Sequence, residues 1–127
     1  MFINNLKPLT NYDIINLADE IKIKDFRGVF MGDTLPRKIN NIECGILNLD
    51  ISKSSGTHWA CYYKNNEKCY YFDSFGLDPP LELQNYLNSQ IELSTFQLQK
   101  FNTHHCGYYC LLVLKLLEKN INIKKLF

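Results

Sequence analysis

The stretch HWACYYKNNEKCYYFD, His58 to Asp73, decides the fold. Two aromatic-rich runs, His58 to Tyr63 and Cys69 to Asp73, flank the polar segment Lys64-Asn65-Asn66-Glu67-Lys68. Asn tolerates positive φ, so Asn65-Asn66 suits the centre of a tight hairpin turn. Both faces of the two runs are apolar or aromatic, the pattern of central strands covered on both sides. A turn centred there gives cross-strand partners whose numbers sum to roughly 131, which sets His58 directly opposite Asp73. Opposed residues on one face have Cβ atoms about 4.5–5.5 Å apart, close enough for a carboxylate to reach an imidazole nitrogen. The inference depends on register, because a slip of one residue sends a side chain to the other face.

Working outward, Thr10 or Asn11 caps a first helix whose apolar stripe is Ile14, Leu17, Ala18 and Ile21. The stripe is one-sided, so this helix lies on the surface of the core. Phe26 to Pro36 reads as an irregular segment, punctuated by Gly28, Gly32 and Pro36. Cys44 to Leu49 is a short strand, followed by a polar turn from Ser52 to Gly56. Asp78-Pro79-Pro80 reads as a helix start with Pro just inside it, and that helix runs to about Leu87. A strand is expected near Thr95 to Gln99. The last element starts at Cys106 and is apolar on almost every side from Tyr108 to Leu117, which predicts a buried helix. The final INIKKLF suits either an edge strand or a tail. No repeat or linker interrupts residues 1–127. The expectation is one α+β domain: a central, mostly antiparallel sheet packed on a buried helix, with surface helices around it.

Composition narrows the function. The chain has 127 residues, 46% hydrophobic and 21% charged, which is globular composition. Lys and Arg exceed Asp and Glu by a single charge, so no basic field holds a phosphate backbone. The longest apolar run, Tyr108 to Leu114, falls far short of the roughly 20 residues of a membrane span. The N-terminal MFINNLKPLT lacks the features of a secretory signal, so an unsecreted protein, intracellular or in a virion, is expected. Five cysteines without CxxC spacing suggest reduced thiols, most of them small buried hydrophobes. Consecutive His104, His105 and Cys106 cannot easily converge on one tetrahedral ion, so no metal is expected, and no cofactor.

A His oriented by a carboxylate is the base half of a nucleophilic triad. The nucleophile candidate is Cys106, at the start of the last helix, where exposed N–H groups and the helix dipole favour a thiolate. The polar segment Phe101 to His105 before it should leave the thiol accessible. Gly107 lets the backbone run close to a bound substrate. An upstream Gln could donate a side-chain N–H to an oxyanion, together with the amide of Cys106.

Three motifs now stand in order: GTHW at Gly56–Trp59, YYFDSFG at Tyr70–Gly76, and QKFNTHHCGYYCLLVL at Gln99–Leu114. Together they resemble the adenovirus-type cysteine proteases, of the clan shared with the SUMO-deconjugating proteases. The resemblance covers residues from about Phe26 to Leu117. The order His, Asp, Gln, Cys fits that clan and differs from papain-like enzymes, where Cys comes first. The resemblance implies that His58 is the general base, Asp73 its orienting partner, Cys106 the nucleophile and Gln99 the oxyanion-hole donor. Gln97 lies nearby, and the choice of Gln99 rests on its spacing to Cys106. Trp59 corresponds to a family Trp beside the active site, where backbone or ring touches substrate.

The implied function is a cysteine endopeptidase, viral or virus-derived, acting as a monomer. Its substrates would be polyproteins or capsid proteins cleaved at small, Gly-containing sites. For the family, a peptide or DNA activator is also implied. The alternatives are a ubiquitin-like-protein deconjugase, an acyltransferase of the same clan, and a catalytically silent binding module. Family members are usually longer, so the expectation is that peripheral elements of the substrate cleft are missing here.

Overall fold

The computed structural model describes residues 7–49, 58–94 and 105–119. Thr10 starts α1 (Asn11–Glu20) with a reciprocal cap. The Thr10 hydroxyl accepts from the Asp13 amide at 3.1 Å, and the Asp13 carboxylate accepts from the Thr10 amide at 3.0 Å. Ile14 and Ala18 of the expected stripe are buried and Leu17 packs beside them. Ile21 departs from the expectation: the helix ends at Glu20, and Ile21 is its half-exposed C-cap.

Five strands follow: β1 (Phe26–Phe30), β2 (Glu43–Leu49), β3 (His58–Lys64), β4 (Cys69–Phe72) and β5 (Ile91–Leu93). They form one sheet in the order of the chain, with β2–β3 and β3–β4 antiparallel and β1–β2 and β4–β5 parallel. The sheet is therefore mixed, with the antiparallel pairs at its centre. Two expectations change here. Phe26–Phe30, read as irregular, is an edge strand whose register shifts between Phe26 and Val29, around Gly28 at φ 140°. That bulge, together with two glycines in seven residues, hid the strand. The short β5 has no counterpart in the sequence reading, and the strand expected at Thr95 to Gln99 lies outside the described residues.

Side chains alternate across the central strands. Cys44, Ile46, Trp59, Cys61 and Phe72 face α1 and α3 (Cys106–Glu118). Leu47, Ala60, Tyr62, Cys69 and Tyr71 face α2 (Leu81–Leu87). Pro80 is the N-cap of α2 and lies just outside it. α3 buries Cys106, Gly107, Cys110, Leu111, Val113 and Leu114, but Leu112 is exposed, so its apolar character exceeds the cover it receives.

One buried carboxylate ties the sheet to α2. Glu43, fully buried, accepts from Arg27 Nη1 at 2.9 Å, the Asn40 amide at 2.8 Å, and the hydroxyls of Tyr62 and Tyr86 at 2.6 and 2.7 Å. Burial and then the Glu43 carboxylate raise the pKa of both phenols, so they remain donors at neutral pH. The Tyr62 ring needs the open surface of Gly45, where a Cβ would stand 2.8 Å from Tyr62 Cε1. Glu43→Leu should cost about 3–5 kcal/mol, because it strands a partly buried guanidinium, the buried Tyr62 hydroxyl and the partly buried Tyr86 hydroxyl together. Urea unfolding measures this, and a loss below about 1 kcal/mol would show the network to be dispensable.

Candidate active site

The hairpin turn sets the site geometry. The Asn65 amide donates to the Lys68 carbonyl at 3.0 Å, and the Asn65 carboxamide accepts from the amides of Glu67 and Lys68. Lys64 pairs with Cys69, Tyr63 with Tyr70, Tyr62 with Tyr71, and Cys61 with Phe72. This register is two residues away from the one the Asn65-Asn66 turn suggests. Asp73 is therefore a diagonal neighbour of His58 and not its direct partner. A two-residue shift keeps every side chain on its face, so the pair still meets.

His58 opens β3, and Asp73 follows the last residue of β4, so antiparallel pairing brings both to one end of the sheet. His58 Nε2 lies 2.7 Å from Asp73 Oδ1. Both are buried, at 3% and 0% exposure. The same Oδ1 accepts the Phe75 amide at 2.8 Å, and the Gly76 amide donates to the Asp73 carbonyl at 2.8 Å. Asp73 thus closes a local turn and holds the imidazole at once. Ser94, just after β5, fixes the backbone of Asp73: its hydroxyl accepts from the Asp73 amide at 3.1 Å and donates to the Asp73 carbonyl at 3.3 Å. The Phe75 ring stacks on His58, with centroids 4.1 Å apart and planes 6° from parallel.

Cys106 is the first residue of α3, and its sulfur accepts the Trp59 amide at 3.3 Å. The helix packs along β3, which delivers its N-terminus to the His58 end of that strand. Burial pulls the His58 pKa down. The hydrogen bond to Asp73, the contact with the Cys106 thiol and the charge of Asp73 outweigh it and push the imidazole up to about 9. Nε2 is taken by Asp73, and Nδ1 is buried without a complete hydrogen bond, so Nδ1 is the nitrogen left to exchange a proton with the thiol.

The other residues singled out by sequence fall as follows. The Trp59 ring is buried and its Nε1 donates to the Leu9 carbonyl at 3.2 Å, while the Trp59 backbone amide is what hydrogen-bonds the nucleophile. A Cβ on Gly107 would stand 3.0 Å from Leu9 Cδ1 and 3.3 Å from Trp59 Cδ1, so this glycine lets α3 approach Trp59 closely. Gln99 and Gln97 lie outside the described residues. The expected accessibility of the thiol is corrected: Cys106 is 2% exposed, and all five cysteines are buried. Neighbours distinguish it, not exposure. Burial raises the thiol pKa of Cys44 and Cys110, as for inert core cysteines. Ser94 and Phe75 were missed by sequence reasoning. Phe75 sits inside the YYFDSFG motif, but nothing in the sequence places its ring against His58.

A pH dependence follows from the His58 shift. Its folded pKa, about 9, exceeds the ordinary value of 6.5. The stability it contributes is fully present below about pH 6.5 and is lost as pH rises through about 9. Chemical denaturation of the wild-type protein and His58→Gln should therefore diverge most below pH 6.5 and converge toward pH 9. A constant gap across this window would contradict the raised value.

No protein-family model matches the chain, and no curated protein matches it by sequence. Solved structures do match. The ASFV pS273R protease is 18% identical with a TM-score of 0.53, over 94% of this chain and 61% of that one. The SUMO protease Ulp1, in a structure with its catalytic cysteine oxidised to a sulfinic acid, is 14% identical with a TM-score of 0.60, over 96% of this chain and 71% of that one. The chain thus spans less than two thirds of the ASFV protease. Its α+β architecture, a five-stranded mixed sheet between helices, is the fold these two cysteine proteases share.

Proposed function

We propose that this chain is a cysteine peptidase in which His58 and Asp73 activate Cys106. The observation that carries the reading is the buried 2.7 Å contact between His58 and Asp73 beside a thiol at a helix N-terminus. Cys106 transfers its proton to His58 and attacks a peptide carbonyl. Backbone N–H and Gln99, the latter from the resemblance alone, stabilise the oxyanion. The imidazolium returns the proton to the leaving amine, and water then releases the acyl-enzyme. Likeness to a viral protease supports a peptidase. Endopeptidase processing of viral capsid or polyprotein substrates at Gly-containing sites, in a host cell or virion, rests on the sequence resemblance alone.

A second reading, deconjugation of a ubiquitin-like protein, is supported by the higher TM-score to Ulp1. Two electrophilic probes separate them: a short Gly-containing peptide and a folded ubiquitin-like protein activated at its C-terminus. Endopeptidase action predicts an adduct on Cys106 from the short peptide, and deconjugation predicts one from the folded probe alone. An intact protein that forms neither adduct would be a silent binding module of the same fold.

A further inference from the structure

We propose that Phe75 is a positioning residue that locks the His58 imidazole in its working orientation and screens it from water. The inference rests on reading His58, Asp73 and Cys106 as one chemical unit and adds a residue to it. A His ring turns about a broad, roughly two-fold torsion, so one hydrogen bond does not by itself fix its plane. The requirement here is two-sided. Nε2 must meet Asp73, while the opposite nitrogen serves the thiol.

Phe75 meets that requirement from both ends. Its ring lies 4.1 Å from the imidazole and 6° from parallel, so rotation of the imidazole out of its plane would drive it into the phenyl face. Its amide donates to Asp73 Oδ1 at 2.8 Å, the oxygen that also holds Nε2. One residue therefore orients the base through its ring and the carboxylate through its backbone. The turn that places it is closed by the Gly76 amide on the Asp73 carbonyl, with Gly76 at φ 75°. The phenyl is itself 8% exposed, so it covers the imidazole from the side of this turn. A stacked aromatic face also favours the imidazolium that forms during reaction.

The test uses full-length protein with 15N-labelled histidine, which has three imidazoles to resolve. In the wild type, the proton on His58 Nε2 should give a downfield signal that exchanges slowly with water. Phe75→Leu keeps the backbone hydrogen bond and an apolar side chain but loses the planar face. It should lose that slow signal and lower kcat by about 10- to 100-fold with little change in KM, as misplacement of a reacting group does. Phe75→Tyr should restore both. If Phe75→Leu does not fold, as judged by its melt, Phe75→Met carries the same comparison. A slow Nε2 signal that survives in the folded aliphatic variant overturns the proposal. Because the signal needs no turnover, it decides the role of Phe75 even if no peptide is ever cleaved, an outcome that would count only against the peptidase reading.

Discussion

Cys106→Ala should abolish peptide cleavage, with kcat lower by about 10⁶, the scale on which removal of a nucleophile acts in a protease triad. Any residual rate would come from binding and oxyanion stabilisation with water as the nucleophile. The fold should survive. Cys106 opens α3, Ala is the best helix former, and the variant gives up a weak acceptor for the Trp59 amide and the thiol contact with His58, neither of which holds the helix in place. Thermal melts of the two proteins should therefore differ little while turnover differs enormously. Wild-type turnover in the folded variant, measured on a fluorogenic peptide, would remove Cys106 from the mechanism.

Asp73→Asn should have the second-largest effect, with kcat lower by about 10⁴, as when the corresponding carboxylate of a serine-protease triad becomes an amide. The amide keeps the shape of the side chain, and its oxygen can still accept from His58 and the Phe75 amide. It no longer supplies the negative charge that holds the imidazole above its ordinary pKa. Its NH₂ would also occupy the position of Oδ2, which is buried without a partner, and two donors would then be unsatisfied. Activity should fall far more than stability. A pH–rate profile in which the variant matched the wild type would show that Asp73 is only a turn residue.

The parts of the site legible in the sequence are those whose chemistry is local. A His and an Asp on the same face of a hairpin were readable because parity survives a register slip of two residues, as occurs here. The slip itself was not readable, since Lys64 and Lys68 could equally belong to the strands or the turn. Thr10 and the apolar stripe after it announce α1, because a cap and the turn it closes are local in the chain; the reciprocal bond from Asp13 comes from the structure. Glu43 could not be recognised as a buried hub. Its donors come from Arg27, Asn40, Tyr62 and Tyr86, and only the fold brings them together. Ser94 and Phe75 were hidden for the same reason. The polar residues before Cys106 suggest an accessible thiol but say nothing about how tightly Trp59 and Leu9 pack at Gly107.

The most direct test of the account is the order in which the five thiols react. Wild-type protein and His58→Gln are treated with iodoacetamide near neutral pH, and labelling is mapped by mass spectrometry over time. Activation by His58 predicts that Cys106 is labelled well before Cys44, Cys61, Cys69 and Cys110, and that this priority vanishes in His58→Gln. Labelling of another cysteine first, or a Cys106 priority unchanged by loss of the imidazole, would contradict the assignment of His58 and Cys106 as base and nucleophile.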